Sequence, residues 1–164
     1  NYLHNNEYMN NNKWKYKITI IGLGNYIMGD DGAGIHLIRN LKEEKLKKGL
    51  NLIEAGTYLL NYLEEISHSK EIIVVDAIKG GEKAGTIYKL ILKDLKKSTV
   101  NDSHGFSLFD TVKTAQSMTG FPEKIQIYGI EPEHIYLHTE LSKPVESAIC
   151  QVKKLLIDYI SRET

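Results

Sequence analysis

The segment Lys17-Ile-Thr-Ile-Ile-Gly22 most narrows what this chain can become, because Ile18 through Ile21 are all β-branched and the run ends at glycine. Such a stretch reads as a buried strand that stops at a turn. Behind it lies a loop from Gly22 to Gly34. Ile35, Ile38, Leu41 and Leu46 then recur at helical spacing, and Lys-rich residues 42–48 close the helix before Gly49. Strand, loop and helix are the opening unit of an α/β fold, and the pattern continues. Asn51–Glu54 is a short strand, Tyr58–Ile66 a helix with apolar residues at 59, 60, 63 and 66, and Glu71–Asp76 a third strand. Gly80–Gly85 is turn-rich and Thr86–Leu90 is β-rich, so the strands on either side of that turn are expected to extend the sheet antiparallel. A helix over about Gly105–Met118, capped by Asp102 or Ser103, precedes a strand at Lys124–Ile130. A last helix runs from about Ser142 to Tyr159, with Pro144 in its first turn. This alternation predicts a three-layer α/β/α sandwich of the phosphorylase/hydrolase-like kind. Its sheet is twisted, five-stranded and mostly parallel, with one antiparallel strand.

The bulk numbers restrict function more than fold. A length of 164 residues with 41% hydrophobic and 26% charged content suits one α/β domain, expected over 17–164. Basic and acidic residues number 21 each, so no net field attracts nucleic acid or an anionic membrane. The longest apolar runs are strand-length, far short of the roughly 20 residues of a membrane-spanning helix. Residues 1–16 hold five Asn between positions 5 and 12 and no long apolar core, and are expected to be a poorly ordered tail or a short added strand. The single cysteine, Cys150, cannot form an internal disulfide and is expected to be a buried structural thiol. A soluble, cytoplasmic protein is the expectation.

The loop after the first strand invites a nucleotide reading and then resists it. Gly22-Leu-Gly24 is followed by Asn25, Tyr26 and Ile27, so the third glycine of a dinucleotide fingerprint is missing. Asp30 and Asp31 would repel a phosphate near the helix start. No Gly-Lys-Ser or Gly-Lys-Thr follows. The loop instead delivers carboxylates to the edge of the sheet, its glycines supplying unusual backbone angles and close approach. Adjacent acids at a helix start also have a plain structural use, one capping the helix and the other favouring its dipole.

Asp76 ends the apolar strand Ile72–Val75, and the carboxyl ends of parallel strands face the crevice where ligands bind. A lone Asp there can equally serve the turn into Lys79 and Gly80. Asp31 leaves the first strand on the same edge. His104, in Asp102-Ser-His-Gly105, sits at the start of the next helix, whose dipole favours a neutral imidazole able to bind a metal. His134 and His138 can line the crevice after the fifth strand, outside the immediate ligand set. Two carboxylates and an imidazole suit a divalent transition ion and leave coordination positions open. The spacing 31, 76, 104 matches no short metal motif, which leaves metal hydrolase, metal carrier and plain α/β domain open.

The motifs Gly22-Leu-Gly24-Asn25, Gly29-Asp-Asp-Gly32 with Gly34, Val75-Asp76-Ala77, Ser103-His104 with Leu108, and Gly129-Ile-Glu-Pro132 with Leu141-Ser142 occur in one order along nearly the whole chain. In this the chain resembles the nickel-iron hydrogenase maturation endopeptidases, which trim the hydrogenase large-subunit precursor. The resemblance implies that Asp31, Asp76 and His104 contact metal and carry catalysis, and that Asp30 is the capping acid. It implies as partner the nickel-iron hydrogenase large-subunit precursor, cut near its C-terminus once nickel is in place. The expected metal is nickel supplied by that precursor, although another divalent ion could occupy the site. The competing expectations are a non-enzymatic nickel-dependent binding or chaperone module and a related α/β domain without activity.

Overall fold

A computed structural model of the chain describes residues 13–46, 48–92 and 103–163, with the backbone alone for residues 92 and 103–107. The expected tail therefore lies largely outside the described residues, as do Asp102, the proposed cap, and the segment 93–101. The elements run β1 (Tyr16–Leu23), α1 (Ala33–Lys42), β2 (Leu50–Gly56), α2 (Leu63–Ser67), β3 (Ser69–Ala77), β4 (Ile87–Leu92), α3 (Ser103–Thr119), β5 (Lys124–Ile130) and α4 (Lys143–Glu163). Short 3-10 turns at Gly29–Gly32 and Leu59–Tyr62 precede α1 and α2.

The five strands form one sheet in the order β2-β1-β3-β5-β4, parallel except for β4. The three-layer, mostly parallel α/β/α expectation is met. One connection differs from expectation: β4 pairs antiparallel with β5 and not with β3 across the glycine turn. The reason is that β3 already has a neighbour on each side, β1 and β5, so β4 must continue past β5 to the edge. Glu131, just after β5, fastens this crossing. Its carboxylate accepts hydrogen bonds from the Gly80 amide (2.6 Å), the Gly81 amide (3.3 Å) and the Tyr88 hydroxyl (2.6 Å). Burial alone would raise the Glu131 carboxyl, but these donors outweigh it and hold the group below the usual carboxylate range.

Each face of the sheet carries two helices. On one, α1 and α4 cover Ile18, Ile20, Ile73, Val75, Tyr128 and Ile130. On the other, α2 and α3 cover Ile21, Ile72, Val74, Ile125 and Ile127. The buried positions of α4 are Val145, Ala148, Ile149, Val152, Leu156 and Ile160, one narrow stripe at spacings of three and four. Cys150 falls about 100° around the helix from Ile149 and is exposed, which corrects the expectation of a buried thiol. None of the helices among the described residues is long and apolar enough to cross a membrane.

Two features of this frame place the site. β1 and β3 are neighbours, yet the chain leaves β1 toward β2 on one side and returns to β3 on the other, which opens a crevice at their carboxyl ends. The start of α1 seats directly on that crevice because Gly34 has no side chain. A β-carbon there would overlap the Val75 carbonyl oxygen and stand 2.6 Å from that of Leu23.

Candidate active site

Asp30 and Asp31 occupy a single 3-10 turn but face different surroundings. Asp30 is 1% exposed. Its Oδ1 accepts the Ser142 amide (2.7 Å), while Oδ2 accepts the Ser142 hydroxyl (2.8 Å) and the Glu133 amide (2.9 Å). The residue preceding α1 is Gly32, and no side chain caps that helix. The expectation that one acid caps α1 is thus corrected. The turn ahead of α1 carries Asp30 away from the helix's free amides, and the carboxylate is used to hold the segment that leads into α4. Asp31 is half-buried, and its Oδ2 accepts the Asn25 amide at 2.9 Å.

Asp76 stands at the end of β3, 7% exposed, opposite Gly129 of β5. Gly24 brings the two acids into relation. At φ +106° it holds a backbone conformation that L-residues rarely adopt. A β-carbon on it would overlap the Asp31 carbonyl oxygen and lie 3.6 Å from Asp76 Oδ1. The main chain at Asp31 and the carboxylate of Asp76 therefore both close on Gly24, in the crevice between β1 and β3.

His104 lies in the first turn of α3. Thr119, the last residue of α3, donates its hydroxyl to the Ser67 carbonyl oxygen (2.6 Å), just ahead of β3, so α3 ends at the amino edge of the sheet. His104 lies fifteen residues earlier in the same helix, about 22 Å back along the axis at 1.5 Å per residue. The side chain of His104 lies outside the described residues, and among the described residues no three His, Cys, Asp or Glu side chains gather as a metal-ligand set.

The segment 131–142, whose His134 and His138 are expected to line the crevice, lies against the loop after β1. It pairs with the loop after β1 through the Gly29 amide to the His138 carbonyl (2.6 Å) and the His138 amide to the Ile27 carbonyl (2.9 Å). His134 stacks on Tyr136 with ring centroids 4.5 Å apart, and His138 lies tilted against Tyr136 at 5.7 Å, along a cavity of about 220 Å3 that reaches Asp30. Both histidines line this cavity, whose walls include Asp30 and neither Asp31 nor Asp76. His36 on α1 bonds the Thr139 carbonyl at 3.0 Å. Burial, aided by the Arg39 charge, lowers its pKa below the ordinary imidazole value despite that bond. The available signal was Leu141-Ser142, since Ser142 bonds Asp30 112 positions away, while the Glu133 amide that also bonds Asp30 follows the Glu131-Pro132 motif directly.

Comparison with known proteins bears on what this edge does. A family model described as hydrogenase maturation protease matches residues 35–159. A putative hydrogenase maturation protease of Methanocaldococcus jannaschii is 35% identical over 154 residues, covering 90% of this chain and 99% of the relative. The hydrogenase 2 maturation protease of Escherichia coli is 25% identical over 139 residues, covering 81% and 84%. The structure of the Escherichia coli hydrogenase maturating endopeptidase superposes with a TM-score of 0.78 at 21% identity, covering 89% of this chain and 93% of that one. The chain belongs to the hydrogenase maturation protease family.

Proposed function

We propose that this endopeptidase removes the C-terminal extension of a nickel-loaded nickel-iron hydrogenase large-subunit precursor in the cytoplasm, with Asp31, Asp76 and His104 as the groups that meet the nickel. The observation that carries the reading is the closure of Asp31 and Asp76 on Gly24 at the crevice between β1 and β3, in a chain of the maturation protease family. Carboxylate oxygens and an imidazole are a donor set fit for a divalent transition ion.

The nickel belongs to the substrate. Three side chains from separate elements leave coordination positions open, so they can engage an ion already held by the precursor, and binding then depends on metal loading as well as on peptide sequence. Engaged in this way, the ion's charge favours the oxyanion formed at the scissile carbonyl. The protein's own residues do the rest. The Asn25 amide fixes one oxygen of Asp31, and β3 holds Asp76 at the rim of the core. One of the two carboxylates takes the proton from the attacking water and delivers it to the leaving amine nitrogen as the C–N bond breaks. Asp30 bonds the loop after β1 to the segment 131–142, so the carboxylates are held in place before substrate arrives.

The test is incubation of purified chain with the same precursor in nickel-loaded and nickel-free form, read by intact mass. Only the loaded form should lose a C-terminal peptide. Equal cleavage of both would remove nickel from the account, and cleavage of neither would overturn it.

A further inference from the structure

The mechanism above leaves unused an open groove of about 420 Å3 that runs outward from Gly24 and Asn25 between the loops after β1 and β2. Gly24 and Asn25 border the candidate site, since the Asn25 amide bonds Asp31 and a β-carbon on Gly24 would lie 3.6 Å from Asp76 Oδ1. The floor of the groove is bare backbone, Gly24 and Gly56 joined by a 3.0 Å amide-to-carbonyl bond. On one wall the Arg39 guanidinium lies 4.1 Å from the Tyr26 ring centroid. Arg39 Nε and Nη2 each stand 3.3 Å from a Glu54 oxygen, and Lys42 Nζ stands 3.3 Å from Oε1 of the same carboxylate. Burial would raise the Glu54 carboxyl, but Arg39 and Lys42 outweigh it and hold the group ionised at neutral pH. Arg39 and Glu54 line the groove and Lys42 adjoins it through Glu54, so two cations against one carboxylate leave one positive charge here. At the opposite wall Tyr58 is 72% exposed.

A plain structural reading makes Arg39 and Glu54 a clip between α1 and β2. That reading explains little, because side chains 47% and 28% exposed form a pair of small energetic consequence. It also leaves Tyr58 and the side-chain-free floor without a use. A glycine floor lets a second backbone approach closely, exposed rings offer area to apolar side chains, and a guanidinium fork with a neighbouring ammonium recognises a carboxylate.

Resting on the function proposed above, we infer that this groove is a substrate subsite. It holds the segment of the processed chain next to the scissile bond as extended polypeptide, and Arg39 and Lys42 select an acidic side chain in that segment.

The experiment separates this subsite from the catalytic reading by measuring binding. In an Asp76→Ala background, a nickel-loaded precursor is titrated against the parent and against Arg39→Ala/Lys42→Ala, with Lys154→Ala on α4 as the charge control. Losing two exposed charge-assisted contacts should raise Kd on the order of tenfold and flatten its dependence on salt, while the control stays at the parent value. In the Asp76-containing enzyme the same double variant should raise KM and leave kcat near that of the unaltered enzyme. Tyr58→Ser, too exposed to disturb folding, should also weaken binding. A Kd within twofold of the parent for both groove variants overturns the subsite. If the unaltered chain binds but never cleaves the precursor, the proposed function fails while the Kd comparison still decides the groove.

Discussion

Replacing Asp30 with alanine separates a structural acid from Asp31, the neighbour proposed to meet the nickel. The buried carboxylate accepts two amides and one hydroxyl. Alanine leaves the Glu133 and Ser142 amides without their acceptor, at about 1–3 kcal/mol each, while the Ser142 hydroxyl can rotate to another partner. Relief from burying a charge offsets part of this loss, and removing one partner from a buried charged network typically costs about 3–5 kcal/mol in all. For a chain of this length that corresponds to a fall in Tm of roughly 6–20 °C. Asp30→Asn keeps one acceptor oxygen and should lose about half as much, and Ser142→Ala about 1 kcal/mol. Urea denaturation followed by far-UV circular dichroism at neutral pH measures all three. The reasoning is refuted if Asp30→Ala lies within about 1 kcal/mol of the unaltered chain, or if Ser142→Ala costs as much as Asp30→Ala.

Gly24→Ala would force a β-carbon into the Asp31 carbonyl oxygen at a positive φ. The backbone penalty alone is about 1–2 kcal/mol, and processing should be lost as Asp31 shifts; an unaltered cleavage rate would contradict the geometry. His36 has a lowered pKa in the folded chain, so as pH falls through about 6.5 the unfolded chain takes up its proton first. Stability should therefore drop between pH 7.5 and 5.5 by more in the unaltered chain than in His36→Gln; parallel denaturation midpoints for the two would count against the assignment.

The parts of this molecule legible in its sequence are those set by local chemistry. The strand Lys124–Ile130 is found at those bounds, and the β-branched run from Ile18 and the apolar run before Asp76 became adjacent central strands. What escaped depends on contacts distant in the chain. Capping rules look a few residues ahead, whereas Asp30 bonds Ser142 112 positions away. Turn rules pair the strands beside a glycine loop, whereas β5, not yet reached at that point in the chain, takes the place beside β3. Cys150 was assigned by the company of apolar neighbours, and a rotation of one residue around α4 carries it to solvent. Asp31 and Asp76 were legible because topology alone sends both to one edge. His104 lies in the first turn of α3, and its side chain lies outside the described residues.

Intact-mass measurement of a nickel-loaded large-subunit precursor, incubated with the unaltered chain or with Asp76→Ala, tests the central claim most directly. The account predicts loss of a C-terminal peptide with the first and an unchanged mass with the second, while circular dichroism shows both proteins folded. Cleavage by folded Asp76→Ala at the unaltered rate would contradict it.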